Sequence, residues 1–378
     1  MAGRVRSFLQ DAALVLGVLV ILVPVAEFVV RLARPQTLPS QEYIRAFVLK
    51  DMYVADEQAG YRLSPNFEGR LERHGHVTEF TTNSLGLRAP EVGPKDPTVT
   101  RVLTLGDSFT FGWGVPQDET WSHHLGLELT KKLGRPVEAF NGGVNGYGTE
   151  GALELLKQVG EEVQPDLVLL GFFANDYTDN LLGAKGIYTV KDGYLFDHFS
   201  AAHFEESFLA RESHLYRLAT MAWEQFRVQR LGGVPSNRAA KNFSEDEFRR
   251  GMELGYEYMV EMMEVCQGLG SRFAVIWLPA DVYATQRRMP EGVPLRWELQ
   301  QKVAEAGIPS FDLLPVAAQD PRVQGLYLVN DGHFSVRGNR IAARAISDWL
   351  KDNGELGNGL LSAERLEALN APSGAASR

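Results

Sequence analysis

The sequence has very little cysteine and no surplus of basic residues. Cys266 is its single cysteine, which rules out an intramolecular disulfide and argues against a cysteine-based metal site. We expect Cys266 to be a buried apolar side chain. Lysine and arginine together number 38 against 48 aspartates and glutamates, for a formal net charge of -10. A nucleic-acid partner is therefore not expected, because a phosphate backbone binds to a basic surface.

The sequence also lacks internal repeats and any cluster of metal-binding residues. His123 and His124 are adjacent on a predicted helix, where neighbouring residues point in different directions and do not share a face. We therefore expect no metal and no cofactor. The remaining composition is that of an ordinary globular protein, with 44% hydrophobic and 23% charged residues. A chain of 378 residues can form one large domain or two modest ones.

Long apolar runs are scarce, and the run that reaches the length of a membrane span lies near the N-terminus. Ala12 to Val30 is apolar except for Glu27, and a spanning helix needs about 20 such residues. A cleaved signal peptide is the alternative, but Ala26 offers a poor cleavage site. We therefore predict a single-pass membrane anchor within residues 1–34, with the following domain periplasmic or extracellular.

Beyond this segment, short apolar runs alternate with amphipathic helical patterns. This alternation predicts an α/β fold, a three-layer α/β/α sandwich around a mostly parallel sheet. The predicted organisation has four parts: a linker and small strand-rich segment at 35–100, a main domain at 101–352, a helical insertion within it at about 182–269, and a flexible tail at 353–378.

Polar residues follow the predicted strands of the main domain, at the sheet edge where open α/β proteins bind their ligands. Ser108 follows the first strand and Asn175 follows the third. The glycine-rich segment Asn141 to Thr149 follows the second strand. Asp331 and His333 come just before the last helix. We therefore expect these residues to meet at one edge of the sheet.

These residues include every group that acyl transfer requires. Ser108 can act as the nucleophile, His333 as the base and Asp331 as the group that orients the histidine. The amides of Ser108 and Gly146 and the side-chain amide of Asn175 can stabilise an oxyanion. Each residue taken alone is more often part of a turn or a helix cap. The occurrence of the whole set in this order favours catalysis.

Four neighbouring residues are weaker candidates. Asp107 is expected to hold the turn before Ser108. Trp113 and Tyr147 follow the nucleophile and oxyanion segments, and we predict that they either line an acyl or sugar subsite or pack in the core. Asp312, after a later strand, is the alternative partner for the histidine, although such an aspartate more often has a structural role.

The motifs resemble those of the SGNH or GDSL-like hydrolases. The stretch "GDSFTFG" is similar to the first block of that family, which implies that Ser108 is the nucleophile. The stretches "NGGVNGYG" and "FFANDYTDN" resemble the second and third blocks, which implies oxyanion roles for Gly146 and Asn175. The stretch "DGHFSVRGNRIAA" resembles the fifth block and implies that Asp331 and His333 complete a triad.

The resemblance covers roughly Arg101 to Leu350, apart from the insertion. The upstream stretch "TTNSLGLR" also resembles membrane-anchored bacterial members. The family implies a flavodoxin-like SGNH hydrolase fold that needs no cofactor. It also implies an ester-bearing small molecule or glycan as the substrate.

One spacing differs from the usual family pattern. Only Gly332 separates Asp331 from His333, whereas two residues commonly separate the acid from the histidine. The shorter spacing is similar to that of some polysaccharide O-acetyltransferase relatives. Three hypotheses therefore stay open: a serine esterase for ester or O-acetyl bonds, an O-acyltransferase acting on cell-envelope polysaccharide, and a non-catalytic envelope binding or assembly protein.

Overall fold

The computed structural model describes most of the chain in two compact units. One unit comprises Met1–Phe47 and Asp197–Lys241, and the other comprises Val48–Phe196 and Asn242–Arg378. The described residues are 2–33, 49–73, 76–183, 188–191, 193–197, 244–280, 293–329 and 331–353, with scattered residues between 209 and 223. The predicted tail beyond Asn353 and most of the predicted linker lie outside the described residues.

The first unit contains the long helix α1, Ala2–Ala33. The carboxylate of Glu27 on this helix accepts hydrogen bonds from the Ser213 hydroxyl at 2.7 Å and from the Leu215 amide at 2.8 Å. In the part of the chain that the structure describes, no helix has both the length and the apolar character needed to span a bilayer. The predicted anchor is therefore not confirmed, and the predicted location of the main domain stays a prediction.

Two antiparallel β-hairpins open the second unit, in the segment predicted to be rich in strands. The first pairs β1, Tyr53–Asp56, with β2, Gly60–Leu63. The second pairs β3, Glu68–Arg73, with β4, His76–Thr81. Both hairpins precede the first strand of the main sheet.

The main sheet has five strands, all parallel to their neighbours. They are β5 (Thr100–Gly106), β6 (Val137–Gly143), β7 (Leu167–Phe172), β10 (Arg272–Trp277) and β11 (Ser310–Asp312). Their order, β11-β10-β7-β5-β6, corresponds to the 2-1-3-4-5 order of flavodoxin-like folds. β5 and β7 are buried along their whole length, as expected of strands covered on both faces. The predicted α/β fold with a parallel sheet is confirmed.

The described helices of the second unit lie between these strands or follow the last of them. They are α2 (Ser108–Phe111), α3 (Trp121–Leu133), α4 (Thr149–Val163), α5 (Asp176–Leu182), α6 (Glu245–Gly268), α7 (Val293–Glu305), α8 (Leu314–Gln319) and α9 (Val336–Asp352). Several helix ends carry residues that favour a helix boundary. Ser335 caps α9, Gly134 ends α3 in a left-handed conformation, and Ser244 forms a capping box with Glu247 at the start of α6.

Helices lie on both faces of the sheet. On one face, α3, α8 and α9 share a buried core with side chains of β5, β7 and β10, among them Val102 and Leu169. On the other face, Leu155 of α4 approaches Leu105 of β5 around Gly142, and α4 packs against α6. Val102 and Leu105 point to opposite sides because successive strand residues alternate. We call these the α3/α9 layer and the α4/α6 layer.

The segment predicted as a helical insertion differs from that expectation at both ends. It begins with a β-hairpin, in which β8 (Tyr188–Lys191) pairs with β9 (Tyr194–Asp197). It ends with α6, which is the crossover helix between β7 and β10. The overlooked signal for the hairpin was the Asp-Gly pair at 192–193, a strong turn sequence between two short strands.

Candidate active site

Ser108 lies where strand β5 ends and the short helix α2 begins. The strand ends align, because Gly106 at the end of β5 is paired with Gly143 of β6 and Gly171 of β7. The side chain of Asp107 accepts a hydrogen bond from the Phe109 amide at 2.9 Å and so caps α2, as predicted. Ser108 is half-buried at the carboxyl end of β5, next to β7. The strand order reverses between these two strands, and open α/β sheets bind ligands at such a point.

The helix carrying Ser108 rests directly on the end of the sheet. A Cβ atom on Gly143 would lie 2.1 Å from the amide nitrogen of Phe111, and one on Gly171 would lie 2.4 Å from Thr110 Oγ1. Only glycine permits this approach at both positions. The Asn141 side chain adds a hydrogen bond to the Thr110 carbonyl at 2.8 Å. The position of Ser108 is therefore set by backbone packing around it.

His333 joins Ser108 to Asp331 through a continuous chain of hydrogen bonds. Its Nε2 atom lies 2.7 Å from Ser108 Oγ, and its Nδ1 atom is hydrogen-bonded to Asp331 Oδ1. Because the carboxylate accepts from Nδ1–H, Nε2 is left to accept the serine proton. Gly332 between the two residues has a φ of 88°, a left-handed conformation that glycine adopts without steric cost. This glycine allows the one-residue spacing.

In this series of hydrogen bonds, the side chain of Asp331 is more buried than that of His333. The side chain of Asp331 is 6% exposed and that of His333 is 19% exposed. The indole nitrogen of Trp113 donates to Asp331 Oδ2 at 3.3 Å, and the ring of Phe109 packs against the imidazole with centroids 4.9 Å apart. The carboxylate is therefore held on one side by the indole and on the other by the imidazole.

For three of the weaker sequence candidates, the contacts favour one of the predicted alternatives. Tyr147 is fully buried and donates from its hydroxyl to the Tyr61 carbonyl, so it packs in the core and does not line a subsite. Trp113 is also buried, and its polar atom contacts Asp331. Asp312 is bound by Arg296 Nη2 at 2.6 Å and Gln300 Nε2 at 2.9 Å, so its contacts are structural and Asp331 is the partner of His333.

The glycine-rich turn after β6 is tied to the strand that leads to Ser108. The Val144 amide donates to the Gly106 carbonyl at 2.9 Å, which places the turn beside the end of β5. Gly146 is half-buried and has a φ of 81°. Among the described residues, the amides of Ser108 and Gly146 donate to no backbone carbonyl. Both amides can therefore donate to a ligand.

Asn175, the third expected donor, is the residue directly before α5. Its Nδ2 atom donates to Asp179 Oδ2 one helical turn later, at 2.7 Å. This bond uses one of the two hydrogens of the amide nitrogen and orients the group beside the buried Asp107 carboxyl. The Thr149 amide donates to Asn180 Oδ1 at 2.7 Å and links the start of α4 to α5. The donors that follow β6 and β7 are therefore fixed to each other.

Two carboxyl groups lie buried beneath the site. Burial raises the pKa of Asp107 to about 6, while the Phe109 amide and the nearby His333 oppose that rise. Burial, together with the neighbouring Asp107, raises the pKa of Asp176 well above its ordinary value. Asp176 still accepts a hydrogen bond from the Phe173 amide at 2.7 Å. Among the described residues, no cluster of three or more histidine, cysteine, aspartate or glutamate side chains could hold a metal ion.

Sequence reasoning missed Arg88, which supports the other end of α2. Its guanidinium is buried and donates to the carbonyls of Phe111 at 2.6 Å and Gly112 at 2.9 Å. It also donates to the carbonyls of Val115 at 2.9 Å and Glu79 at 3.1 Å. The only signal in the sequence was its place at the end of the "TTNSLGLR" stretch.

Comparison with known proteins gives one family and several distant relatives. Residues 104–341 match the GDSL-like lipase/acylhydrolase family. An arylesterase from Vibrio mimicus is 36% identical over 76 residues, which are 20% of this chain and 38% of that protein. The chain therefore aligns with well under half of this curated relative.

Two solved structures are similar at low sequence identity. The lipase Lip_vut3 from a goat rumen metagenome is 13% identical with a TM-score of 0.42, over 66% of this chain and 96% of that chain. The psychrotrophic esterase EstA from Pseudoalteromonas sp. is 12% identical with a TM-score of 0.39, over 68% of this chain and 99% of that chain.

Proposed function

The chain belongs to the GDSL-like lipase/acylhydrolase family of ester-hydrolysing enzymes, as its motifs predicted, and on this premise we propose that it is a serine esterase. The observation that carries the proposal is the chain of hydrogen bonds from Ser108 Oγ to His333 Nε2, at 2.7 Å, and from His333 Nδ1 to Asp331. A hydroxyl, an imidazole and a buried carboxylate in this order can generate a nucleophile at neutral pH.

In the first half of the reaction, Ser108 Oγ attacks the ester carbonyl carbon while His333 Nε2 takes the hydroxyl proton. Asp331 holds the imidazole in the required tautomer and stabilises the imidazolium that forms. The carbonyl oxygen becomes an oxyanion that accepts hydrogen bonds from the Ser108 and Gly146 amides and the Asn175 side chain. The intermediate then collapses, and His333 gives its proton to the departing alcohol.

In the second half, water attacks the acyl group on Ser108. His333 removes a proton from the water, and the same three donors stabilise the second oxyanion. Collapse of this intermediate returns the proton to Ser108 Oγ and releases the carboxylic acid.

The test is hydrolysis of 4-nitrophenyl acetate by the full chain and by Ser108→Ala. We expect the variant to lose activity by about a thousandfold or more, since loss of a triad serine removes the acyl-enzyme route. Ser84→Ala is the matched control, because Ser84 is exposed and hydrogen-bonds to Glu91; it should keep wild-type activity. Equal rates for wild type and Ser108→Ala would refute the proposal and favour the non-catalytic hypothesis.

The acyltransferase alternative differs only in the group that attacks the acyl-enzyme. A sugar hydroxyl would take the place of water and carry away the acyl group. The same assay with an added oligosaccharide acceptor separates the two hypotheses: acetyl groups recovered on the sugar in excess of free acetate indicate transfer. The esterase proposal predicts free acetate as the main product.

A further inference from the structure

The phenol ring of Tyr188 packs directly against Gly146. A Cβ atom at position 146 would lie 2.8 Å from the Cε2 and Oη atoms of Tyr188 and 2.9 Å from its Cζ atom. The ring therefore occupies the space next to Gly146 into which any larger residue there would project its side chain. Tyr188 is itself half-buried, so part of the ring faces the accessible side of the turn.

The Tyr188 ring is supported by neighbouring residues. Tyr61 meets it edge to face, with centroids 5.3 Å apart and planes at 67°. The Tyr61 hydroxyl donates to the carbonyl of Asn145, next to Gly146, at 2.8 Å. The hairpin that carries Tyr188 is tied to the upstream segment by a hydrogen bond from the Asp51 amide to the Gly193 carbonyl at 2.6 Å. The ring and the turn are therefore held in one packed unit.

Gly146, against which this ring packs, and the base His333 come from opposite layers of the fold. His333 precedes α9, which belongs to the α3/α9 layer, whereas Gly146 precedes α4 in the α4/α6 layer. In the proposed reaction the alcohol oxygen receives its proton from His333 and so leaves on the side of the α3/α9 layer. The oxyanion on the same carbon is bound by the Gly146 amide in that reaction, so the acyl substituent passes close to Gly146 and to the Tyr188 ring packed against it.

We propose that Tyr188 sets the acyl-chain preference of the site by filling the space beside Gly146, which leaves room for a short acyl group such as acetyl. The proposal rests on the proposed esterase function and names its substrate class. Because Tyr61 packs against the Tyr188 ring, the ring cannot move aside without breaking this contact. A longer chain would have to displace it.

The experiment compares kcat/KM of the full chain for 4-nitrophenyl acetate, butyrate and octanoate. The variants are Tyr188→Ala, which opens the space, and Tyr188→Phe, which keeps the ring. Tyr194→Ala makes the same chemical change in the partner strand of the same hairpin. We expect wild type, Tyr188→Phe and Tyr194→Ala to favour acetate. Tyr188→Ala should raise the ratio of octanoate to acetate by about tenfold or more.

Several results would overturn the inference. A wild-type preference for octanoate would do so, as would an unchanged ratio in Tyr188→Ala, including a uniform loss of kcat on all three esters. An equal shift in Tyr194→Ala would assign the effect to the hairpin as a whole. If Tyr188→Ala does not fold, as judged by circular dichroism, Tyr188→Val is measured in its place against the same criteria.

Failure of the inference is distinguishable from failure of the proposed function. If wild type cleaves acetate far faster than Ser108→Ala but the ratio does not respond to residue 188, only the inference is wrong. If wild type and Ser108→Ala are equal on all three esters, the proposed function fails and the inference fails with it.

Discussion

Asp331 is the residue whose role depended most on geometry. One residue separates it from His333, where the family commonly has two, and Asp312 was the alternative partner for His333. The carboxylate of Asp331 accepts from the imidazole on one oxygen and from the Trp113 indole on the other. Because Gly332 takes a left-handed φ, Asp331 and the histidine can face each other across a single residue.

Replacing the two aspartates in turn should separate catalysis from structure. Asp331→Asn should lower kcat by about a thousandfold or more, because an amide can donate to Nδ1 and favour the wrong imidazole tautomer. Asp312→Asn should leave kcat near wild type. It should also lower the free energy of unfolding, because the buried Arg296 loses its carboxylate partner. Ester hydrolysis and urea unfolding measure the two effects.

The opposite pattern would contradict this assignment. If Asp312→Asn abolished hydrolysis while its fold remained intact, Asp312 would have to reach the histidine in the working enzyme. The hydrogen bonds of Asp312 to Arg296 and Gln300 would then not describe the active state.

Asp107 makes a testable contribution to stability as pH changes. Its pKa is raised to about 6 in the folded chain, whereas an unfolded aspartate titrates near 3.9. Between these values the folded state binds more protons, so the free energy of unfolding of the wild type falls as pH rises through this window. Asp107→Asn, whose side-chain oxygen can still accept from the Phe109 amide, removes this titration.

The measurement is urea unfolding of wild type and Asp107→Asn between about pH 4 and pH 7. Wild type should lose stability relative to the variant across this range, by at most about 3 kcal/mol for a shift of roughly two units. A difference that is constant with pH, or that grows in favour of wild type, would show that Asp107 is not held protonated by burial.

At the level of elements, α2 is held at both ends by side chains that lie outside the helix. Asp107 caps its start, and Arg88 binds the carbonyls at its end. A helix of four residues has too few internal hydrogen bonds to be stable alone. The guanidinium of Arg88 spans four carbonyls with its two terminal nitrogens, which a lysine ammonium on a single nitrogen cannot do. We therefore expect Arg88 to act as a clamp on α2, the helix that begins at Ser108.

Arg88→Met should lower the free energy of unfolding by about 3 kcal/mol or more, because several buried carbonyls lose their donor. The free energy of unfolding of Arg88→Lys should lie between those of Arg88→Met and wild type. Arg70→Met is the matched control on the adjacent hairpin, since Arg70 is exposed and forms an ion pair with the exposed Glu79; it should cost no more than about 1 kcal/mol. Urea unfolding tests all three, and equal stability of Arg88→Met and Arg70→Met would exclude the clamp.

At the scale of the whole molecule, the parallel sheet is what assembles the site. Ser108 and His333 are 225 residues apart in sequence, yet they meet at the carboxyl edge of β5. The strand order reverses between β5 and β7, which opens a crevice between the segments that follow them. The histidine reaches this crevice from the α3/α9 layer, and Gly146 reaches it from the start of the α4/α6 layer, with the Tyr188 ring packed against it.

Much of this architecture could be predicted because it depends on local patterns in chain order. Buried strands such as β5 and β7 appear as short apolar runs, and helices such as α9 appear through their periodicity and caps. In a parallel sheet all strands end at one edge, so residues after successive strands are expected to converge. That reasoning and the family motifs led to the prediction of three site residues, Ser108, Asn175 and His333.

Other assignments depended on contacts between distant residues, which no local pattern contains. Tyr147 and Trp113 were predicted either to line a subsite or to pack in the core, and the side chains that surround them bury both. Asp331 and Asp312 were distinguished by which of them lies beside an imidazole and which beside Arg296. Tyr188 had no motif, and its contact with Gly146 arises because a hairpin folds back over the turn. Local sequence thus specified the elements and their chemical groups, and long-range packing assigned each group its partner.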